Sequence, residues 1–302
     1  MRQEALRKVY ELAKKDSRVV FVGSDLATGT LQAMKEELPN QFFMEGISEQ
    51  HLIGFAAGLA KEGYIPFLNT IANFFTRRAL EQIILDVCLH KLPVKILASG
   101  GGMVYAPLGP THTAVDDLAH MLAIPNLNVY APCDAVDMTN LLSQEVQTEM
   151  PAYIRFGKGG EEIVSDRLTR SKDSTFSFVG NFKAKRVVIT TGVSVQPAIF
   201  AIRNLFDESS SLVVHALKLN SFSEEFVEIL SNKQRVVVVE EHQSYGGLYT
   251  KLLHFCHQNN IDSRSVVSIS LGNEFVRRYG SQSDHFAAYG ITAERIMEEL
   301  VK

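Results

Sequence analysis

The chain has 302 residues, enough for two domains of ordinary size, and its 46% hydrophobic and 21% charged residues exclude a disordered polypeptide. With 30 Lys and Arg against 34 Asp and Glu the net charge is −4, and no basic run breaks the pattern, which argues against nucleic-acid binding. No apolar run approaches a membrane span, Met1 leads straight into an amphipathic helix, and Cys88, Cys133 and Cys256 are odd in number without CxxC spacing; we expect a cytoplasmic chain with no membrane partner, disulfide framework or metal site.

In chain order, a helix is expected over Arg2 to Lys15, then a strand over Arg18 to Gly23, a helix from Glu49 to Glu62 and a strand from Ile65 to Asn69. The pattern continues with a helix from Phe74 to His90, a strand from Pro93 to Ser99, a helix from Val115 to Leu122 and a strand from Leu127 to Ala131. A helix from Ala135 to Val146 and a strand from Ala152 to Phe156 complete this half. The alternation of Val/Ile-rich runs with helical periodicity means βαβ units and a parallel sheet covered on both faces. A polar stretch then interrupts it, and we place a linker at 166–182 between a first domain, 1–165, and a second, 183–302. Beyond it the alternation restarts with strands Arg186 to Thr191, Leu212 to Ala216, Arg235 to Glu240 and Val266 to Ile269, separated by helices near Val195 to Phe206, Glu224 to Leu230 and Leu248 to His257. The fold class is thus α/β, two doubly wound domains, the larger one N-terminal.

Several segments invite a chemical reading. Gly100-Gly101-Gly102 follows a strand, but a dinucleotide-binding fingerprint needs a third glycine where Tyr105 stands. Phe156-Gly157-Lys158-Gly159 lacks the spacing and the Ser/Thr of a phosphate loop and reads as a loop after a strand. Gly46-Ile47-Ser48-Glu49-Gln50-His51 opens a nearly uncharged helix crowded with Gly and Ala. Glu49 reads either as a carboxylate at a helix N-terminus capped by Ser48 or as a buried carboxylate that hydrogen-bonds a ligand. In Asn73-Phe74-Phe75-Thr76-Arg77-Arg78 the aromatics are by default core and the arginines a solvated face. Gly109-Pro110-Thr111-His112 is a turn that delivers His112 to the start of a helix carrying Asp116 and Asp117.

Together these segments resemble the C-terminal two domains of the transketolase family of thiamine-diphosphate enzymes, with local similarity to its deoxyxylulose-phosphate synthase branch. Gly23-Ser24-Asp25-Leu26, Gly46 to Gly58, Gly109 to His112, Glu240-Glu241-His242 and Gly246-Gly247-Leu248 stand in the family's order and spacing, nearly end to end. The resemblance implies a pyrimidine-binding domain followed by the family's C-terminal domain. It implies that Glu49 hydrogen-bonds the cofactor's aminopyrimidine, that Phe74 stacks on that ring and that Asp25 lies beside the cofactor, which itself supplies the carbanion chemistry. It further implies that Arg77 binds a substrate phosphate or carboxylate, that Arg2, Thr28 and Arg155 hold the acceptor phosphate, and that His112 contacts a substrate oxygen or moves a proton.

Two departures qualify the resemblance. The Gly-Asp-Gly motif that holds Mg2+ and the cofactor diphosphate belongs to an N-terminal domain, and no such motif occurs here. We therefore expect the smaller half of a split enzyme, an α2β2 heterotetramer with a homodimeric core, whose partner is the N-terminal section carrying the diphosphate domain and the Mg2+ ligands. Where transketolases carry an acid three residues before the Thr-His pair this chain has Leu108, and their upstream histidine corresponds to Gly100. The expected activity is transfer of a two-carbon ketol or acyl unit from a ketose or 2-oxo donor to an aldehyde or sugar-phosphate acceptor. The alternatives are the decarboxylating subunit of a 2-oxo-acid dehydrogenase and a non-catalytic assembly or regulatory subunit. Arg77 and the intact Thr111-His112 pair favour the first reading, as does retention of Glu49 and Phe74.

Overall fold

Runs such as Val19-Val20-Phe21-Val22 cannot present one polar face, so their strands must be covered on both sides. The computed structural model describes residues 1–27, 29–205, 208–231 and 233–302. Its first sheet contains β1 (Val19–Gly23), β2 (Phe42–Met44), β3 (Ile65–Ile71), β4 (Lys95–Ser99), β5 (Asn128–Tyr130) and β6 (Ala152–Phe156), all parallel, in the order β2-β1-β3-β4-β6-β5. One face packs on α1 (Arg2–Lys15), α2 (Gln32–Glu37) and a later helix, Ala135–Glu145, through Leu6, Val9, Met34 and Leu141. The other face carries α3 (Glu49–Lys61) and α4 (Ala72–Arg78), whose Leu52, Ile53, Ala56 and Phe75 are buried.

The helix expected from Phe74 to His90 begins earlier and comes in three pieces. After α4, Ala79 leaves helical geometry (φ −121°, ψ 22°), and α5 (Leu80–Gln82) runs into a π-turn over Ile83–Cys88. The apolar periodicity survives this insertion because Ile83, Val87 and Cys88 remain buried, so pattern alone does not reveal the break. The helices α6 (Asp117–Leu122) and α7 (Ala135–Glu145) complete this domain.

The second sheet has the order β12-β11-β9-β10-β8-β7. It is built from β7 (Thr169–Arg170), β8 (Phe176–Gly180), β9 (Arg186–Thr190), β10 (Ser211–Ala216), β11 (Arg235–Gln243) and β12 (Val266–Leu271). The segment 166–182, expected to be a linker, supplies β7 and β8 as an antiparallel edge. Its Ser-Lys-Asp-Ser-Thr run is the hairpin turn, in which Asp173 Oδ1 accepts hydrogen bonds from Ser171 Oγ and the Thr175 amide. Around this sheet lie α8 (Val195–Phe200), α9 (Glu224–Leu230), α10 (Leu248–Gln258), and two further helices the sequence reading did not place, α11 (Gln282–Tyr289) and α12 (Ala293–Val301). Among the described residues no helix is long and apolar enough to cross a membrane.

The domains are joined by backbone. The Ala131 amide donates to Leu217 O at 3.0 Å, the Leu219 amide to Val129 O at 2.9 Å, and the Gln243 amide to Val115 O at 2.8 Å. The end of β5 is thereby tied to the segment after β10, and β11 to the approach to α6.

Candidate active site

In a parallel sheet, loops at the C-terminal strand ends gather where the chain order reverses, here between β1 and β3. The end of β1 carries Ser24, whose Oγ lies 2.9 Å from both Asp25 Oδ1 and Thr70 Oγ1. Asp25 itself is exposed. Just past β2, Glu49 is the first residue of α3 and only 4% exposed. Ser48 does not cap this helix with its side chain; its Oγ bonds Glu45 O instead. The buried carboxylate is therefore placed by the fold and not by a capping motif.

From the end of β3, α4 presents Phe74 and both arginines. Asn73 Nδ2 donates to Thr111 O and Thr113 O at 3.2 and 2.8 Å, which fixes the Gly109–Thr113 turn against α4. Arg77 reaches Asp116 with two close contacts from Nη2, 2.9 and 3.0 Å, and donates to Pro110 O at 3.3 Å. His112, half-buried, meets the Phe74 ring edge-on at 5.3 Å between centroids, with Nδ1 2.8 Å from Thr111 Oγ1. Arg78 lies with its guanidinium carbon 3.7 Å from the Phe74 centroid, and its Nη1 stands 3.2 and 3.3 Å from the two Glu49 oxygens. Glu49, Arg78, Phe74 and His112 thus form one contiguous row. Phe74 is only partly buried, short of its default reading as core, whereas Phe75 is core as expected; both arginines are exposed, as a solvated face would be, yet each is tied to an acid of the site.

A second basic patch lies near the chain start. Arg2 Nη1 donates to Tyr105 Oη at 3.2 Å, Lys158 Nζ is 5.6 Å from the same ring, and Arg2, Arg7, Ala27 and Thr30 line a cleft of about 510 Å3. Thr28 lies outside the described residues. Lys158 stands in the Phe156-Gly157-Lys158-Gly159 run, which reads in the sequence as a loop after a strand, and nothing there points to this patch.

Arg155 is elsewhere. It is 4% exposed, its Nε donates to Asp117 Oδ2 at 2.9 Å, and its Nη2 donates to Glu241 O at 2.7 Å. Tyr153 Oη donates to the same Asp117 oxygen at 2.9 Å. Burial opposes the Arg155 charge, but Asp117 and Glu241 more than restore it, and its pKa is raised. Its Nε and Nη2 are committed to the domain junction, so the structure gives no support to its expected contact with an acceptor phosphate.

The three glycines are also structural. Gly102 has φ +75°, and a Cβ there would sit 2.2 Å from the Glu241 carboxylate, while a Cβ on Gly100 would meet the Tyr105 ring at 2.0 Å. Side chains fill the space a dinucleotide would need. Glu241 accepts from the Met103 amide and from Gln282 Nε2, both at 2.7 Å. Its Oε2 is buried without a hydrogen bond, and burial pushes this carboxyl up to about 7. Glu240 caps α10 by accepting the Leu248 and Tyr249 amides. Cys133, Asp137 and His215 approach within 4.8 Å at the junction. However, Arg170 already donates to Asp137 Oδ1 at 2.6 Å, the Cys133 amide and thiol turn to Asp137 Oδ2, and burial raises the Cys133 thiol, so the group is held as an interdomain network. Finally, Leu108 closes a 3-10 turn and is 56% exposed, which removes it from the core.

Residues 1–160 match the transketolase pyrimidine binding domain, and residues 183–296 match the transketolase C-terminal domain. A transketolase C-terminal section of Methanocaldococcus jannaschii is 32% identical over 99% of this chain and 97% of its own length. The 1-deoxy-D-xylulose-5-phosphate synthase of Syntrophus aciditrophicus is also 32% identical, over 95% of this chain but 44% of its own length. The chain therefore spans under half of that relative. Among solved structures, one described as a split gene transketolase, inactive beta4 tetramer, superposes with a TM-score of 0.85 at 29% identity, covering 99% of this chain and 96% of that one. By these matches to both domains, and by full-length similarity to a C-terminal section, the chain belongs to the transketolase family and carries its pyrimidine-binding and C-terminal domains.

Proposed function

We propose that the chain is the smaller subunit of a two-chain, thiamine-diphosphate-dependent transferase that moves a two-carbon ketol or acyl unit from a ketose or 2-oxo donor to an aldehyde or sugar-phosphate acceptor. The observation that carries this reading is the row Glu49–Arg78–Phe74–His112 at the C-terminal strand ends. Arg78 there is a planar, nitrogen-bearing cation that stacks on Phe74 and donates to a carboxylate 4% exposed. An aminopyrimidine asks for the same two partners, a ring face and a buried acceptor, so the residues fit the group. When bound, the cofactor supplies the carbanion that attacks a carbonyl.

In this reading the chain's own residues position and move protons. Glu49 holds a proton at a ring nitrogen, and its burial keeps that contact free of competing water. Phe74 orients the ring by stacking. His112, fixed by Thr111 and by the Phe74 edge, faces a substrate oxygen. Asp25 borders the cofactor. Arg77, oriented by Asp116 and Pro110 O, takes an anionic substrate group, and Arg2 with Lys158 takes a second. Mg2+ and the diphosphate fall to a partner chain bearing the diphosphate domain, in an α2β2 assembly. The neighbour described as an inactive tetramer of beta chains supports a chain that is inert alone.

The test is co-purification with a diphosphate-domain chain, followed by calorimetric titration of thiamine diphosphate with magnesium. Micromolar or tighter binding by the complex and only far weaker binding by the isolated chain is the expected result. Tight binding by the isolated chain, or none by the complex, overturns the split-enzyme reading. Turnover confined to 2-oxo acids with a lipoyl acceptor would assign the complex to the dehydrogenase branch.

A further inference from the structure

We infer that Arg78 is an internal surrogate for the cofactor's aminopyrimidine, closing the Glu49–Phe74 half-site in the unassembled chain and withdrawing when thiamine diphosphate enters; this rests on the function proposed above. Two adjacent arginines on α4 are held in opposite ways. Arg77 is anchored by Asp116 and by a carbonyl of the turn. Among the described residues Arg78 makes its polar and ring contacts with the Glu49 carboxylate and the Phe74 ring face, not with that turn.

The geometry is that of a stand-in. A guanidinium is flat, delocalised and presents its N–H donors in a rigid fork, so it stacks on an aromatic face while its edge donates to a carboxylate. Here the guanidinium carbon is 3.7 Å from the ring centroid, well inside the roughly 6 Å range of such contacts. An incoming aminopyrimidine needs that face and that carboxylate, so the two cannot both be present.

Burial makes the arrangement reversible in one direction. The Arg78 side chain is 48% exposed, whereas Glu49 is 4% exposed. On release the guanidinium is hydrated at little cost, into a cleft of about 550 Å3 that Arg78 shares with Ile47, Gln50 and His51. Glu49 has no such recourse and is left as a buried charge until another donor arrives. Arg78 therefore satisfies Glu49 in the chain without cofactor and competes with the cofactor for it. A half-exposed ion pair and a cation–π contact each bias the population by about two- to five-fold. The apparent affinity for the cofactor falls by the closed fraction, so removing Arg78 should tighten binding roughly four- to 25-fold.

The experiment uses the isolated 302-residue chain and thiamine, which carries the aminopyrimidine but not the diphosphate, in a ligand-observed NMR titration. Wild type, Arg78→Ala, Arg78→Lys and Glu49→Gln are compared, with circular dichroism as the folding control. The expected result is a dissociation constant tightened roughly four- to 25-fold in Arg78→Ala, with Arg78→Lys, which keeps the charge but loses the flat fork, in between. If Arg78→Ala fails to fold, the Arg78→Lys comparison with wild type decides alone. Equal or weaker binding by both Arg78 variants, with wild type binding and Glu49→Gln impaired, overturns the surrogate and leaves the proposed function standing. No binding by any variant also overturns it, and absence of thiamine diphosphate binding in the two-chain complex then removes the proposed function as well.

Discussion

The Nε of Arg155 lies 2.9 Å from Oδ2 of Asp117, with both side chains buried where the two domains meet. Tyr153 and the carbonyls of Glu241 and Ala114 complete the shell. Removing one member of such a pair strands the other without water. Arg155→Ala should therefore destabilise the chain by about 3–5 kcal/mol, read by urea unfolding. A loss under about 1 kcal/mol, accompanied by a raised KM for a phosphorylated acceptor, would return Arg155 to substrate binding.

Glu49 behaves differently because its partner is half-exposed. Glu49→Gln removes a buried charge and leaves Arg78 to be hydrated, so the variant should melt at or slightly above wild type. In the assembled enzyme it should lose about 10²- to 10⁴-fold in turnover, the range of a general acid–base contribution. Turnover within a few-fold of wild type at saturating cofactor would show that Glu49 does not handle the proton.

Glu241 links stability to pH. Its ordinary value is 4.5 and burial lifts it to about 7 in the folded chain. Between those values the unfolded chain has released the proton and the folded chain keeps it. Stability contributed by the neutral carboxyl is thus complete below pH 4.5, falls as pH rises towards 7, and levels off above, with an upper bound of about 3 kcal/mol. Glu241→Gln should flatten this slope. Parallel stability profiles of the two proteins from pH 5 to 8 would show that Glu241 does not titrate in that window.

Leu108 tests donor choice. Because it is 56% exposed, Leu108→Asp should change stability by no more than about 0.5 kcal/mol. A hydrogen bond to a charged group is worth about 1.5–3 kcal/mol, so the new carboxylate should favour a hydroxylated ketose phosphate over pyruvate by about ten-fold or more. Measuring kcat/KM for xylulose 5-phosphate and pyruvate in the complex checks this. Efficient use of the ketose by wild type, unchanged by the substitution, would place Leu108 outside the donor site.

Local information in the chain was enough for most of the scaffold. Val/Ile runs such as Val19-Val20-Phe21-Val22 and Val236-Val237-Val238-Val239 demand burial on both faces, and the Gly/Ala-rich helix behind Glu49 reads as buried, though the sequence leaves the carboxylate open between a helix-N-terminal charge and a buried acceptor. The turn bearing His112 was equally legible, because Gly and Pro act on their own backbone. What tertiary structure decided was the partner of each charge and the role of each ambiguous loop. Arg78 meets Glu49 across 29 residues of chain, Arg155 meets Asp117 across 38 and the Glu241 carbonyl across 86. No periodicity reaches over such distances, so the sequence gives Arg78 an exposed face but no partner, and assigns Arg155 only the phosphate contact that the resemblance implies. The short strands β7 and β8 escaped for the same reason, since five residues become β8 only when β10 offers an edge, and two become β7 only when β8 offers the next.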